Sequence, residues 1–248
     1  MASTSETGHA KNVANFQDMR SFVAGYGAAY NPSKASIKVP ALLAKDTACI
    51  AALAATNAAL APNITNVNAR EIQFALIPTL VSRIVNAAQA SDISPEAIAD
   101  VKSIARKLTG RRAKAKIEPV QDDPATPEDE SKKSSSSSQM SFDSRIENFD
   151  KLIQVLIANP GYAPNEADLK VTALQAFLVA MKATDTAVIA SSTALSNARI
   201  DRNVELYKVP TGLVPIANDV KSYVKSLFGP KSPQFKQLSK LKFTSPKV

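Results

Sequence analysis

Two stretches of sequence decide the fold: YNPSKASIKVPALLA at residues 30–44 and YAPNEADLKVTALQA at residues 162–176. They align without a gap at a shift of 132 residues, and eight of their positions are identical. These pairs are Tyr30/Tyr162, Pro32/Pro164, Ala35/Ala167, Lys38/Lys170, Val39/Val171, Ala41/Ala173, Leu42/Leu174 and Ala44/Ala176. So many matches in one register predict a tandem duplication.

The register continues well beyond the two stretches. The same shift pairs Arg70/Arg202, Pro78/Pro210, Thr79/Thr211, Ile84/Ile216 and Asn86/Asn218. Beyond residue 90 the register slips by about six residues, after which the tripeptide at 94–96, SPE, meets SPQ at 232–234. In each tripeptide the serine suits a helix N-cap and the proline suits the first helical position, so both copies are predicted to begin a last helix there.

Composition and periodicity both favour helix in each copy. The chain has only 7 glycines, no tryptophan and many alanines, which tilts the class away from sheet. Apolar residues recur at helical spacing in the second copy, at Val171, Leu174, Leu178, Met181, Val188, Leu195 and Leu206, and in the first, at Ile50, Leu53, Leu60, Ile64, Val67 and Phe74. We expect these residues to form buried faces. The phase continues across Pro62, which favours one kinked helix, with a break at Pro62 as the alternative.

Capping residues set the other predicted helix limits. Ser36 and Asp168 suit the N-caps of the long helices, which should end or bend near Pro78 and Pro210. A following helix in each copy should bury apolar residues, which are Leu80, Val81, Ile84, Val85 and Ala88, or Leu213, Ile216, Val220, Val224 and Leu227. C-terminal caps are expected at Gly110 and Gly229, and a shorter amphipathic helix precedes each long one, at Val13–Ala24 and Phe142–Ile157.

The predicted fold class is all-α, with two tandem homologous helical bundles of about four helices each. We expect a disordered tail at residues 1–10, repeat 1 at 11–112, a linker at 113–141, repeat 2 at 142–243 and a C-terminal tail at 244–248. Three prolines, six acidic residues and a run of five serines fill the linker. That composition cannot form a packed core, so the linker is predicted to be flexible.

Three segments resemble a known family. They are SQMSFDSRIENFDKLI at residues 138–153, YAPNEADLKV at 162–171 and SPQFKQLSKLKF at 232–243. They are similar to an uncharacterised two-repeat all-helical bacterial protein family with no assigned function, and the likeness extends over almost the whole chain. The resemblance implies the duplication and a bacterial cytosolic setting. It implies no activity.

The search for catalytic residues is negative, and the chain is predicted not to be an enzyme. The single histidine, His9, falls in the predicted N-terminal tail, which argues against histidine-based triads and metal sites. There is no GxxxxGK[ST] or GxGxxG motif, and we predict no cofactor. The single cysteine, Cys49, lies among apolar residues and is interpreted as a core residue rather than a nucleophile. The closest acidic clusters, at 122–123 and 128–130, lie in the predicted linker.

Four charged residues interrupt the apolar faces: Asp46, Arg70, Asp185 and Arg202. They could pair with each other in a buried polar layer, because an unpaired buried charge is costly. Alternatively they lie at the margin of each face and reach water, the arginines by extending their stems. We favour the second interpretation, in which these residues lie at the margin of each face and reach water.

Positive charge is concentrated at the end of each copy. Seven basic residues and no acidic ones occur in residues 102–116, and the same holds for residues 221–248, whereas the whole chain has a net charge of +8. Such patches suit nucleic acid or another polyanion, although helix C-termini also favour cations. The candidate polyanion-binding residues are Arg106, Lys107, Arg111, Arg112, Lys236 and Lys240.

The leading functional hypothesis is a non-enzymatic helical scaffold that binds a protein partner or itself. Polyanion binding and self-assembly into a structural protein are the alternatives. The apolar stretch at residues 39–61 is interrupted by Lys45, Asp46, Thr47, Thr56 and Asn57, so we predict no membrane span. A cytoplasmic location is expected.

Overall fold

The computed structural model describes residues 8–111 and 140–245, and within them every regular element is a helix. This confirms the all-α class. The helices are α1 (His9–Gly25), α2 (Val39–Ala75), α3 (Ile77–Gln89), α4 (Pro95–Thr109), α5 (Phe142–Ala158), α6 (Val171–Tyr207), α7 (Leu213–Phe228) and α8 (Pro233–Ser239). The predicted linker and the last three residues lie outside the described residues, apart from Met140 and Ser141, which precede α5.

The two long helices have the same length and the same register. Each has 37 residues, and the shift of 132 relates both their first and their last residues. In the turn before α2 the hydroxyl of Tyr30 donates to the Ile37 carbonyl over 2.7 Å. Tyr162 donates to Leu169 over 3.0 Å in the turn before α6. The repeated tyrosines therefore close equivalent turns.

Most predicted helix limits are confirmed. Ser94 and Ser232 cap α4 and α8 by accepting a backbone N–H three residues on. Gly110 follows α4 with a φ of 68°, a left-handed conformation that glycine adopts without steric cost. The N-cap predictions for Ser36 and Asp168 are wrong, because both residues lie in 3-10 turns that precede the long helices. The helix α2 is continuous through Pro62.

The chain forms two compact units, and each takes residues from both sequence repeats. Unit 1 contains Met1–Ile64 and Ala190–Val248, and unit 2 contains Thr65–Ile189. These units do not follow the predicted repeat boundaries at 11–112 and 142–243. Each of the two 37-residue helices contributes to both units, since α2 is divided after residue 64 and α6 after residue 189.

In unit 1, the helix α1 packs against α7 and α8. The core joins buried residues of α1, the first part of α2, the end of α6 and α7, including Phe16, Met19, Leu42, Leu206 and Val220. Within α7 four predicted core residues are buried, at Leu213, Ile216, Val220 and Val224, whereas Leu227 is 39% exposed. Helix α1, from the predicted first repeat, is thus covered by α7 and α8, which belong to the predicted second repeat.

Unit 2 has the reciprocal composition. The helix α4 packs against both α3 and α5. The core joins the end of α2, α3, α4, α5 and the first part of α6, including Phe74, Ile84, Leu108, Phe149 and Met181. Of the predicted α3 core, Val81, Ile84 and Ala88 are buried, and Leu80 and Val85 are partly buried. Helices α3 and α4, from the predicted first repeat, therefore share a core with α5 of the predicted second repeat.

The buried faces of the long helices differ from one another. In α6 the predicted face is confirmed, since Leu174, Leu178, Met181, Val188, Leu195 and Leu206 are all buried. In α2 the prediction is wrong for Ile50, Leu60 and Ile64, which are 44%, 39% and 50% exposed. The prediction is confirmed for Phe74, and the other residues that α2 buries are Leu42, Asp46, Cys49 and Thr56.

The prediction of a disordered tail at residues 1–10 is wrong at its end, because His9 and Ala10 belong to α1. The His9 Nδ1 lies 2.7 Å from the Tyr207 hydroxyl oxygen. At the other terminus the Thr244 backbone N–H donates to the Asn12 side-chain oxygen over 3.0 Å. Residues 1–7 lie outside the described part.

Candidate interaction surfaces

The charged residues within the apolar faces do not all reach water, which corrects the interpretation favoured from sequence. In unit 2, Arg70 Nη1 donates to Asp185 Oδ1 over 2.8 Å, and their side chains are only 18% and 10% exposed. The Arg70 guanidinium also lies over the Phe142 ring, 3.8 Å from its centroid. Arg202, the repeat counterpart of Arg70, bonds instead to the neighbouring Asn203 side chain. The contact between Arg70 and Asp185 is therefore structural, because the two side chains bond to each other inside unit 2.

A second charged pair lies inside unit 1. Arg20 Nε is 3.2 Å from Asp46 Oδ2, and the Asp46 side chain is 4% exposed. Burial raises the pKa of Asp46, and the charge of Arg20 opposes that rise. The buried Thr56 hydroxyl bonds to the Ala52 carbonyl in its own helix and to the Ala198 carbonyl in α6. Arg20 and Asp46 thus face each other as an ion pair, although Asp46 Oδ1 accepts no hydrogen bond, and Thr56 bonds to two backbone carbonyls.

The two residues with the most reactive side chains are held in the fold. Cys49 is fully buried, and burial raises the pKa of its thiol to about 12, which agrees with the interpretation of a core residue. Burial, followed by the charge of Arg202, lowers the pKa of His9. Among the described residues no group of three or more His, Cys, Asp or Glu side chains is placed to hold a metal ion.

Three of the predicted polyanion-binding residues lie at the end of α4, in unit 2. Arg106, Lys107 and Arg111 are all exposed there. Arg106 and Arg111 line a cleft of about 400 Å³ together with Lys102, whereas Lys107 does not. Lys107 instead lies close enough to Glu147 to lower the pKa of that carboxyl, after the larger effect of Lys151. Arg112 lies outside the described residues.

Lys236 and Lys240 are exposed at α8, in unit 1. Other lysines of the same basic segment are engaged in packing. Lys221 donates to the Leu241 carbonyl over 2.5 Å, with its ammonium 5.0 Å from the Phe243 ring centroid. Lys225 lies 5.9 Å from the Phe235 ring centroid. Part of this second basic segment thus contributes to the packing of the C-terminal residues.

An exposed apolar seam runs along α2 within unit 1. Seven exposed residues at alternating spacings of four and three define it: Leu43, Thr47, Ile50, Ala54, Asn57, Ala61 and Ile64. No charged residue occurs between Asp46 and Arg70. The seam spans about 32 Å along the helix, and its large members, Leu43, Ile50 and Ile64, are each 44–50% exposed. It was not predicted as a site, although the long run without charge was a signal in the sequence.

Both long helices belong to segments that are long and apolar enough to cross a membrane. These segments are Val39–Gln89 and Val171–Tyr207, with mean hydropathies of 1.4 and 1.3 in their most apolar windows. Only 22% and 28% of the residues in those windows are buried. Apolar surface on the long helices is therefore not covered by the rest of the described chain.

Comparison with known proteins gives no relative from which a role could be transferred. No protein-family model matches the chain, and no curated protein or solved structure matches it significantly. The seam of α2 and the cleft beside α4 are therefore the two surfaces that indicate a function.

Proposed function

We propose that the protein is a non-enzymatic helical scaffold that works by self-association, and that the seam of α2 is its contact surface. The observation that supports this most strongly is the exposure of Leu43, Ile50 and Ile64 along one line of α2, a helix with no charged residue at positions 47–69. Branched apolar side chains that recur at this period on a helix surface favour packing against another helix. Contiguous exposed apolar surface of this kind is typical of interaction sites.

The composition of the seam favours a second copy of the chain as the partner. A charged partner surface would lose water on contact and would find no opposite charge between residues 47 and 69. The seam itself is uncharged, so two copies related by a two-fold axis would be complementary. Asn57 adds an amide that both donates and accepts. Two copies of Asn57 could therefore bond to each other within the contact.

Sedimentation velocity of the full chain over a wide concentration range tests this proposal. We expect a monomer–dimer equilibrium that Ala54→Glu shifts strongly toward monomer, because the seam would then bury two like charges. Ala55→Glu is the matched control, since Ala55 is the next exposed alanine but lies outside the seam, and it should leave the equilibrium unchanged. Circular dichroism checks that both variants fold. A wild-type chain that stays monomeric throughout, or equal effects of the two variants, would rule out the seam as the contact.

We also propose that the protein acts in the bacterial cytoplasm without spanning a membrane. In unit 1 the Thr56 hydroxyl, near the middle of α2, bonds to the Ala198 carbonyl of α6. Arg199, Asp201 and Arg202 follow within about one turn of α6. If α2 crossed a bilayer, these three charges would therefore lie near the bilayer centre. Each charge at the centre of a bilayer costs roughly 2.5–3.5 kcal/mol even by permissive scales. We therefore expect the protein in the soluble fraction after cell lysis, and recovery only with detergent would contradict this.

Duplication of a four-helix unit is the origin that we infer for the chain. The equal lengths of α2 and α6 and the equivalent bonds of Tyr30 and Tyr162 support it. Separately expressed repeats 1–112 and 140–248 test the dependence of one copy on the other. Because each compact unit draws on both repeats, we expect neither fragment to fold alone and the mixture to regain helix. Independent folding of either fragment would contradict this.

Polyanion binding is the second candidate function, favoured by the exposed cations Arg106, Lys107 and Arg111 at the end of α4. Retention on a heparin column should then fall steeply with salt and should decrease by similar steps when each of the three is neutralised. Salt-independent retention, or none, would exclude it.

A further inference from the structure

The cleft beside α4 combines cations with an apolar floor. Its volume is about 400 Å³, and it lies in unit 2 between residues of α3 and α4. The cationic lining residues are Lys102, Arg106 and Arg111. Apolar lining comes from Pro78, Val81, Val85 and Ala105, and further polar groups come from Ser82, Asn86 and Thr109. No aspartate or glutamate is among these residues.

Local geometry brings the three cations together. Lys102 and Arg106 are four residues apart on α4, so their side chains lie on the same helix face. The left-handed Gly110 then reverses the chain, and the Arg111 backbone N–H donates to the Arg106 carbonyl over 3.0 Å. This turn returns Arg111 to the end of the helix beside Arg106. A sequence segment with one cation every few residues thus becomes a cluster.

The charges of this cluster are not compensated within the described residues. No ion pair within 4.0 Å in residues 8–111 and 140–245 involves Lys102, Arg106 or Arg111. The helix dipole explains cations in the last turn of α4. It does not explain Lys102, which lies two turns before the helix end. The cleft therefore presents an electrostatic surface that attracts anions.

The apolar lining and the size of the cleft restrict the class of anion that could bind there. A volume of 400 Å³ is near the lower end for small-molecule sites, which are mostly apolar with a few polar groups that orient the ligand. We propose that the cleft binds one amphiphilic anion, in which a carboxylate, sulfonate or phosphate monoester is attached to a compact apolar body. The head group contacts Arg106, Arg111 and Lys102, and the body lies against Pro78 and Val85, the two apolar lining residues that are not buried. This binding is independent of self-association through α2.

Neighbouring residues on α4 provide the decisive control. Arg106 and Lys107 are adjacent, exposed and equally charged, but only Arg106 lines the cleft. A delocalised attraction of anions to the basic segment predicts the same effect for Arg106→Gln and Lys107→Gln. A discrete site predicts an effect for Arg106→Gln alone.

Isothermal titration calorimetry of the full chain with 2-naphthalenesulfonate tests the proposal. We expect one site per chain, about tenfold weaker in Arg106→Gln, as befits one hydrogen bond to a charged group, and unchanged in Lys107→Gln. Inorganic phosphate, which has a head group but no apolar body, should bind much more weakly. Equal effects of the two variants, equal affinity for phosphate or no binding would each overturn it. Circular dichroism and amide chemical shifts confirm that both variants keep the fold.

Discussion

The helices α2 and α6 share length and register, yet they bury different kinds of residue. The buried face of α6 consists of large apolar side chains such as Leu174 and Met181, with Asp185 among them. In α2 the middle of the buried face is formed by Cys49 and Thr56, which are small or polar. The large apolar residues Ile50 and Ile64 lie on the outside. The two helices therefore keep the register of the predicted repeat, while the role of their large apolar residues differs.

The difference has consequences for what each helix contributes. In α6 the large side chains stabilise the two cores, whereas in α2 they remain available for contact with another molecule. An outward-facing apolar side chain contributes little to folding. Substitutions in α2 and α6 test whether the two helices differ in this way.

The largest expected difference between α6 and α2 is in the stability lost when an apolar side chain is truncated to alanine. Leu174→Ala removes a fully buried side chain of α6 and should lower the free energy of unfolding by about 2–5 kcal/mol, since it leaves a cavity. Ile64→Ala in α2, at a side chain that is 50% exposed, should change it by less than about 0.5 kcal/mol. Urea denaturation followed by circular dichroism measures both, at concentrations where the chain is monomeric. Equal losses would contradict the assignment of the buried faces.

The repeat counterparts Arg70 and Arg202 offer a second test. Arg70→Met leaves the carboxylate of Asp185 without its charged partner, and we expect a loss of roughly 2–3 kcal/mol, because a charge left unpaired in a core is costly. Arg202→Met removes two bonds to the adjacent Asn203 side chain and a charge that disfavours protonated His9, and it should cost less than about 0.5 kcal/mol.

The double variant Arg70→Met/Asp185→Leu sharpens that test. Replacing the whole pair by apolar residues removes the unpaired charge, so the double variant should recover much of the stability lost in Arg70→Met. Thermal unfolding of Arg70→Met, Arg202→Met and the double variant at one pH compares their stabilities. No recovery in the double variant would show that the pair is not what stabilises this part of unit 2.

The smallest expected effect is a pH dependence of stability that comes from His9, at the start of α1. The folded-state pKa of His9 lies below its ordinary value of 6.5, because burial and, second, the charge of Arg202 disfavour the imidazolium. The unfolded chain therefore binds the proton more readily than the folded chain. The contribution of neutral His9 to the free energy of unfolding is complete above about pH 6.5, and it is lost as pH falls below that value. NMR titration of the single imidazole measures the pKa. His9→Gln should remove the pH dependence, and a pKa above 6.5 would contradict the sign.

Much of the fold was predictable because local chemistry decides it. Proline at the start of α4, serine caps and the glycine at residue 110 all act within one helical turn, and the structure places them as predicted. The face of α6 followed from the spacing of its large apolar residues. Periodicity failed in α2 because several alanine-rich faces have similar spacing, and only tertiary contact selects Cys49 and Thr56 for burial.

The composition of the compact units was not predictable from the repeat. A duplicated sequence is equally consistent with each copy closing on itself and with exchange of helices between copies. The contacts between α1 and α7, and between α4 and α5, are set by packing at distances in sequence that no local signal reports. The same holds for the cleft, where Lys102 joins Arg106 and Arg111 opposite the apolar residues of α3.

Thiol labelling at two adjacent positions tests the orientation of α2 most directly. The natural Cys49 is buried, and should react with a thiol reagent only when the protein unfolds. Ile50→Cys in a Cys49→Ala background should react at once in dilute solution and become protected as the concentration rises and the seam is covered. If the thiol at position 50 reacts as slowly as Cys49 at every concentration, Ile50 belongs to the core, and the account of α2 as a contact helix is contradicted.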